Sequence, residues 1–104
     1  MISGENGKIN RSLINLNWEQ FQKWQRWDEY PERKRNPPMT VDMVFWYKGN
    51  RYYLESIYHK YAILTEKEEM IVSDTNFRSL LNKPVEKWEK RTFKELIGEM
   101  LFEN

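Results

Sequence analysis

The chain predicts an α+β fold: an aromatic N-terminal helix, an antiparallel sheet of about four strands built from two hairpins, and two C-terminal helices packed on that sheet. Three observations carry this expectation. Met39 to Tyr58 alternates side-chain character on both sides of a turn at Lys48-Gly49-Asn50. Trp18 to Tyr30 repeats large rings at near-helical spacing, and Thr92 to Leu101 joins a capping signal to one apolar stripe.

A chain of 104 residues is long enough to build one core without staples. Residues 1–12 read as a loose polar leader, and residues 13–104 as a single α+β domain. Hydrophobic residues at 39% and charged residues at 32%, with four Gly and four Pro, place it among globular proteins rather than disordered ones. Aromatic residues reach 15%, an excess that needs a structural or functional home. Cysteine is absent, which excludes disulfides, thiolate metal sites and a cysteine nucleophile. A polar start after Met1 and no long apolar run point to the cytoplasm, with no membrane partner. The net charge of +1 supplies no overall field to steer the chain toward nucleic acid or anionic lipid.

The first helix begins at Asn17, a favoured N-cap, with Gln20 in the capping-box position and Leu16 and Phe21 at staple spacing. It should run from Trp18 to about Glu29 and stop before Pro31. Trp18, Phe21, Trp24 and Trp27 recur every third residue, so the rings spiral over half the cylinder, together with Gln25 and Asp28. They serve either as cover for the sheet or as exposed anchors, for which Trp and Arg are the favoured types. Arg26 lies beside them. The segment Glu32-Arg33-Lys34-Arg35-Asn36-Pro37-Pro38 then reads as an extended basic loop.

In the first hairpin, Val41, Met43, Phe45, Tyr47, Tyr52, Leu54 and Tyr58 share the expected core face. Asp42, Val44, Trp46, Tyr53, Glu55 and Ile57 share the other. A two-residue primed turn at Gly49-Asn50 or at Lys48-Gly49 keeps these faces and changes only the register. Tyr61 to Thr65 and Met70 to Val72 form a second hairpin around the charged Glu66 to Glu69 loop. The link at His59-Lys60 is either a tight turn or a bulge in one long strand. Ser73 or Asp74 caps a short helix from Thr75 to Asn82, ended by Pro84, and Trp88 anchors the charged link that follows. Thr92 and Glu95 form a second capping box. Phe93, Leu96, Ile97, Met100 and Leu101 follow as one stripe, and Gly98 permits a close approach to a neighbour.

Chemistry is scarce. His59, the single histidine, lies on the face of Tyr53 and Glu55, but Glu55 is about 13 Å away along a flat strand. Glu66, Glu68 and Glu69 lack calcium-loop spacing, Gly49 and Gly98 are isolated, and no nucleophile elbow exists. The expectation is therefore no enzyme, no cofactor and no metal.

The half-apolar Trp46 face has two solutions. If the N-terminal helix covers it, the chain is an α/β/α sandwich; if not, its rings form an exposed patch of the kind that marks an interface. Asp42 and Glu55 on that face disfavour phosphate. The expected function is protein contact, regulatory, inhibitory or homodimeric, through Trp24, Trp27, Trp46 and Tyr53, with Arg26 and Arg33 at the rim. The alternative is weak single-stranded nucleic-acid binding through Arg33-Lys34-Arg35 and the neighbouring Trp rings.

Overall fold

A computed structural model describes residues 12–27, 36–37 and 40–104. The leader before Ser12, the predicted helix end at 28–29 and the Arg33-Lys34-Arg35 triplet fall outside the described residues. Along the chain run β1 (Leu13–Ile14), α1 (Trp18–Trp24), β2 (Met43–Tyr47), β3 (Asn50–Ile57), β4 (Lys60–Thr65) and β5 (Met70–Asp74). α2 (Phe77–Leu81), α3 (Phe93–Leu96) and β6 (Leu101–Glu103) complete it, with 3-10 turns at Glu86–Trp88 and Ile97–Glu99.

All six strands join one antiparallel sheet in the order β1-β6-β2-β3-β4-β5. The two strands beyond the expected four are the shortest, at two and three residues. Neither is long enough to display a period of two. β6 was hidden for a further reason: Leu101 continues the helical stripe of Phe93, Leu96, Ile97 and Met100. The helix instead ends at Leu96, tightens into the 3-10 turn, and turns extended at Met100, with φ −101° and ψ 150°. Gly98 meets nothing within 4 Å of where a Cβ would stand, so it marks no close approach.

The hairpin at the sheet's centre uses Lys48-Gly49 as its loop, pairing Tyr47 with Asn50 and Phe45 with Tyr52. Both loop residues have positive φ, 51° and 79°, as a primed turn requires. Ile57 opposite Lys60 makes the next connection a tight two-residue turn. Pairing stops there, so Tyr58 enters the turn with φ 55° and its side chain stands 95% exposed rather than in the core. Val41, 39% exposed, likewise leaves the expected core face, because it precedes the first paired residue, Met43. The β4–β5 hairpin carries a register shift at Ile63/Leu64.

Both predicted capping boxes form. Asn17 and Gln20 exchange side-chain-to-backbone hydrogen bonds of 2.8 and 2.9 Å, and Thr92 and Glu95 do so at 3.1 and 2.9 Å. α1 stops at Trp24 because Arg26 adopts φ 57°. α2 is capped by Asn76, beyond the Ser73 or Asp74 that the sequence predicts, while Asp74 accepts the Asn76 N–H at 2.8 Å.

The core is aromatic and lies on one side of the sheet. Met43, Phe45, Tyr47, Tyr52, Leu54, Ile63, Val72 and Phe102 point into it, all buried. Phe21 of α1 meets Phe77 of α2, Phe93 of α3 and Phe102 of β6, with ring centroids 5.2–6.3 Å apart. Each such side chain withdrawn from water contributes about 1.5–3 kcal/mol. Because α1 shares this layer with α2 and α3, the described helices all cover one face. The α/β/α sandwich does not form among the described residues.

Candidate functional site

The face of the sheet that no described helix covers is where the remaining large side chains gather, although Ala62 and Leu64 on its β4 are buried. Alternation in β2 buries Met43, Phe45 and Tyr47 and turns Val44 and Trp46 outward, half-buried. β3 turns Arg51, Tyr53, Glu55 and Ile57 the same way. Cross-strand pairing continues the face outward: Leu101 stands opposite Trp46, Leu13 opposite Glu103, Leu64 opposite Tyr53, and Met70 opposite Leu64. The result is an apolar band across all six strands. Leu13, Met70 and Leu101 along it are 42–46% exposed. Polar residues flank it, with Arg51 and Glu66 at one end of β3 and β4 and Asp42 and Glu55 toward the other.

One ionic cluster sits inside this band. Glu103 accepts from Arg51 Nε at 2.7 Å and Nη2 at 3.0 Å, a two-pronged fork, and from Trp46 Nε1 at 2.9 Å. Arg51 Nη1 donates to the Tyr53 hydroxyl at 3.0 Å, and its guanidinium lies 5.3 Å from the Tyr53 ring centre. The hydrogen bond to Glu103 holds the Arg51 guanidinium above its ordinary pKa, so it stays charged. The Glu103 side chain is 8% exposed and that of Arg51 23%. Desolvated charge of this kind needs its partners fixed, and the sheet fixes them by placing three strands side by side. Trp46 and Tyr53 are thereby held as diagonal neighbours, their rings locked by polar tips.

Of the six predicted contact residues, the structure brings together Trp46 and Tyr53. Trp24 and Arg26 lie on the helical side: Trp24 packs against the core, half-buried, and Arg26 is exposed. Trp27 is 1% exposed, 5.3 Å from Phe77 and 6.1 Å from Trp18, and its ring presents no surface to a partner. Its exclusion follows from its place beyond the end of α1, after the left-handed Arg26, where its ring turns back onto Trp18 and Phe77. Arg33 lies outside the described residues. Sequence reasoning missed Arg51, Glu103, Leu101 and Leu13. The Leu101-Phe102-Glu103 alternation was the available signal, and three residues are too few to distinguish it from a helix end.

His59 is exposed at the β3–β4 turn. Among the described residues no group of three His, Asp or Glu side chains is placed to hold a metal ion, and no helix is long and apolar enough to cross a membrane. Comparison with protein-family models, curated proteins and solved structures finds no match to this chain.

Proposed function

We propose that this chain is a non-enzymatic protein-contact module of the cytoplasm, and that its contact surface is the uncovered sheet face around Trp46 and Tyr53. One observation carries the reading: two large rings, tied by their polar tips to Arg51 and Glu103, stand half-buried on a face that no described helix covers. Rigid aromatic and arginine side chains at the centre of a surface are the residue types that dominate binding energy. An apolar band of this extent on a small domain is the usual mark of an interface.

The test is affinity capture from cell extract with the intact chain and with Trp46→Ala/Tyr53→Ala as bait, circular dichroism verifying that both are folded. The expected outcome is that proteins held by the intact chain, copies of itself included, are lost with the double variant. An identical captured set and an unchanged oligomeric state for the two baits would overturn the reading.

A further inference from the structure

We infer that the occupant of this face is a second copy of the same chain, laid sheet on sheet with its β3 antiparallel to the first. The inference rests on the contact reading above and adds the partner. Its warrant is the charge order along β3. On the outer face the strand presents Arg51, Tyr53, Glu55 and Ile57 in succession, one cation and one anion on opposite sides of a tyrosine. A two-fold axis through Tyr53, in the plane of the interface and perpendicular to the strands, places Arg51 over Glu55 of the other copy and Glu55 over its Arg51. A two-fold axis along β3 instead opposes Arg51 to Arg51 and Glu55 to Glu55. Along β3 only the first arrangement is self-complementary, and isologous contacts require that property. On β6 the same axis sets Glu103 opposite its counterpart, with each carboxylate already matched by Arg51 of its own chain.

Both groups are available for it. Glu55 is half-buried, and its side chain has neither a hydrogen bond nor an ion pair with any described residue. Arg51 has five donor hydrogens and directs three to Glu103 and Tyr53. Its Nη1 also lies 3.9 Å from the exposed Glu66 carboxylate, a loose pair that a second carboxylate above the face would compete with or join. The same axis runs along the apolar band, so that Leu13, Val44, Tyr53 and Met70 of one copy meet their own counterparts, while Leu64 between Tyr53 and Met70 is already buried within its own chain. Sheets stacked in this way keep their strands within about 30° of each other and interdigitate across about 10 Å. A net charge of +1 offers little repulsion between copies.

Sedimentation equilibrium of the full chain over roughly 1 µM to 1 mM should fit a reversible monomer–dimer equilibrium. Glu55→Arg leaves the Arg51–Glu103 fork in place and sets arginine against arginine, and it should weaken the dimer by about tenfold or more. Mixing it with Arg51→Glu should restore association, because each chain then presents one sign at both positions. Should Arg51→Glu fail to fold, cysteine cross-linking gives an independent readout. Tyr53→Cys, on the axis, should be joined by a short bis-maleimide; Ile57→Cys, about 26 Å from its counterpart, should not. A chain monomeric throughout that range overturns the pairing, as does a dimer indifferent to Glu55→Arg with no cross-link through Tyr53→Cys. Either result leaves the capture comparison at Trp46 and Tyr53 to be judged separately. Loss of that difference alone would sink the broader reading.

Discussion

Gln25 illustrates how much one polar side chain can organise. It is fully buried just beyond α1, where an amide is expensive unless every polar atom finds a partner. Its Nε2 donates to the Val41 carbonyl at 2.8 Å and its Oε1 accepts the Val41 N–H at 2.7 Å. The side chain thus imitates a strand and pairs with the backbone leading into β2, setting the direction from which Trp46 is delivered to the open face. Gln25→Ala removes the protein partner of a donor and an acceptor of the part-exposed Val41 and empties the buried amide's place, and should lower stability by about 1–3 kcal/mol. Gln25→Glu cannot donate to the carbonyl and brings a charge inside, so it should be at least as damaging. Urea unfolding of both variants provides the check, and an effect below about 0.5 kcal/mol, typical of an exposed site, would show that Val41 finds other partners.

Among the elements, the loop from Val85 to Arg91 carries visible strain. Val85 and Arg91 form an isolated bridge, and the Arg91 N–H reaches the Trp88 carbonyl at 3.1 Å. Glu89 and Lys90 between them both have left-handed backbone, φ 58° and 63°. That is the geometry of a primed turn, which Asn-Gly adopts readily and which costs a residue with a Cβ about 1–2 kcal/mol. Glu89→Asn with Lys90→Gly should therefore raise the unfolding free energy by about 1 kcal/mol, part of the gain being offset by the added freedom of glycine when unfolded. Thermal melts decide it; a destabilised double variant would mean that the two side chains contribute contacts outweighing the strain. The same loop marks a limit of sequence reading, since nothing in Trp-Glu-Lys-Arg signals a turn. Elements were legible where a local rule had room to repeat. The β2–β3 hairpin has room to alternate, with five residues in β2 and eight in β3 on either side of Lys48-Gly49, and both capping boxes declare their helices. The sheet edge β1 and the inserted strand β6 were not legible. They are two and three residues long, and Phe102 is drawn into place by Phe93 and by Phe21 and Phe45, the latter two far away in sequence. The candidate site inherits this division: Trp46 and Tyr53 follow from the hairpin's alternation, whereas Arg51 acquires its partner Glu103 only through the order of strands.

At the scale of the whole molecule, the described helices form one layer on one side of a six-stranded sheet, so their cohesion with the sheet is tied to the junctions that join them. At the β5–α2 junction the chemistry responds to pH. Asp74 accepts the Asn76 N–H at 2.8 Å and lies 3.3 Å from the Lys83 ammonium, which also donates to the Ser73 carbonyl at 2.9 Å. The backbone hydrogen bond from Asn76, with Lys83 adding to it, holds the Asp74 carboxyl below its ordinary pKa. A carboxylate depressed by folding stabilises the folded state above its unfolded pKa of about 3.9, and that contribution disappears as the pH falls through the lower folded value. Asp74→Asn keeps an oxygen to accept the Asn76 N–H and removes only the charge, so the variant should be less stable than the parent at pH 7. The gap should shrink steadily below pH ~4, as the parent's own carboxylate takes up its proton. Side-chain exposure of 22% means solvent screens part of the interaction, and added salt should narrow the gap at pH 7. Denaturation midpoints of both proteins between pH 7 and pH 2.5 measure this; a gap that stays constant with pH would assign the effect of Asp74→Asn to packing rather than to charge.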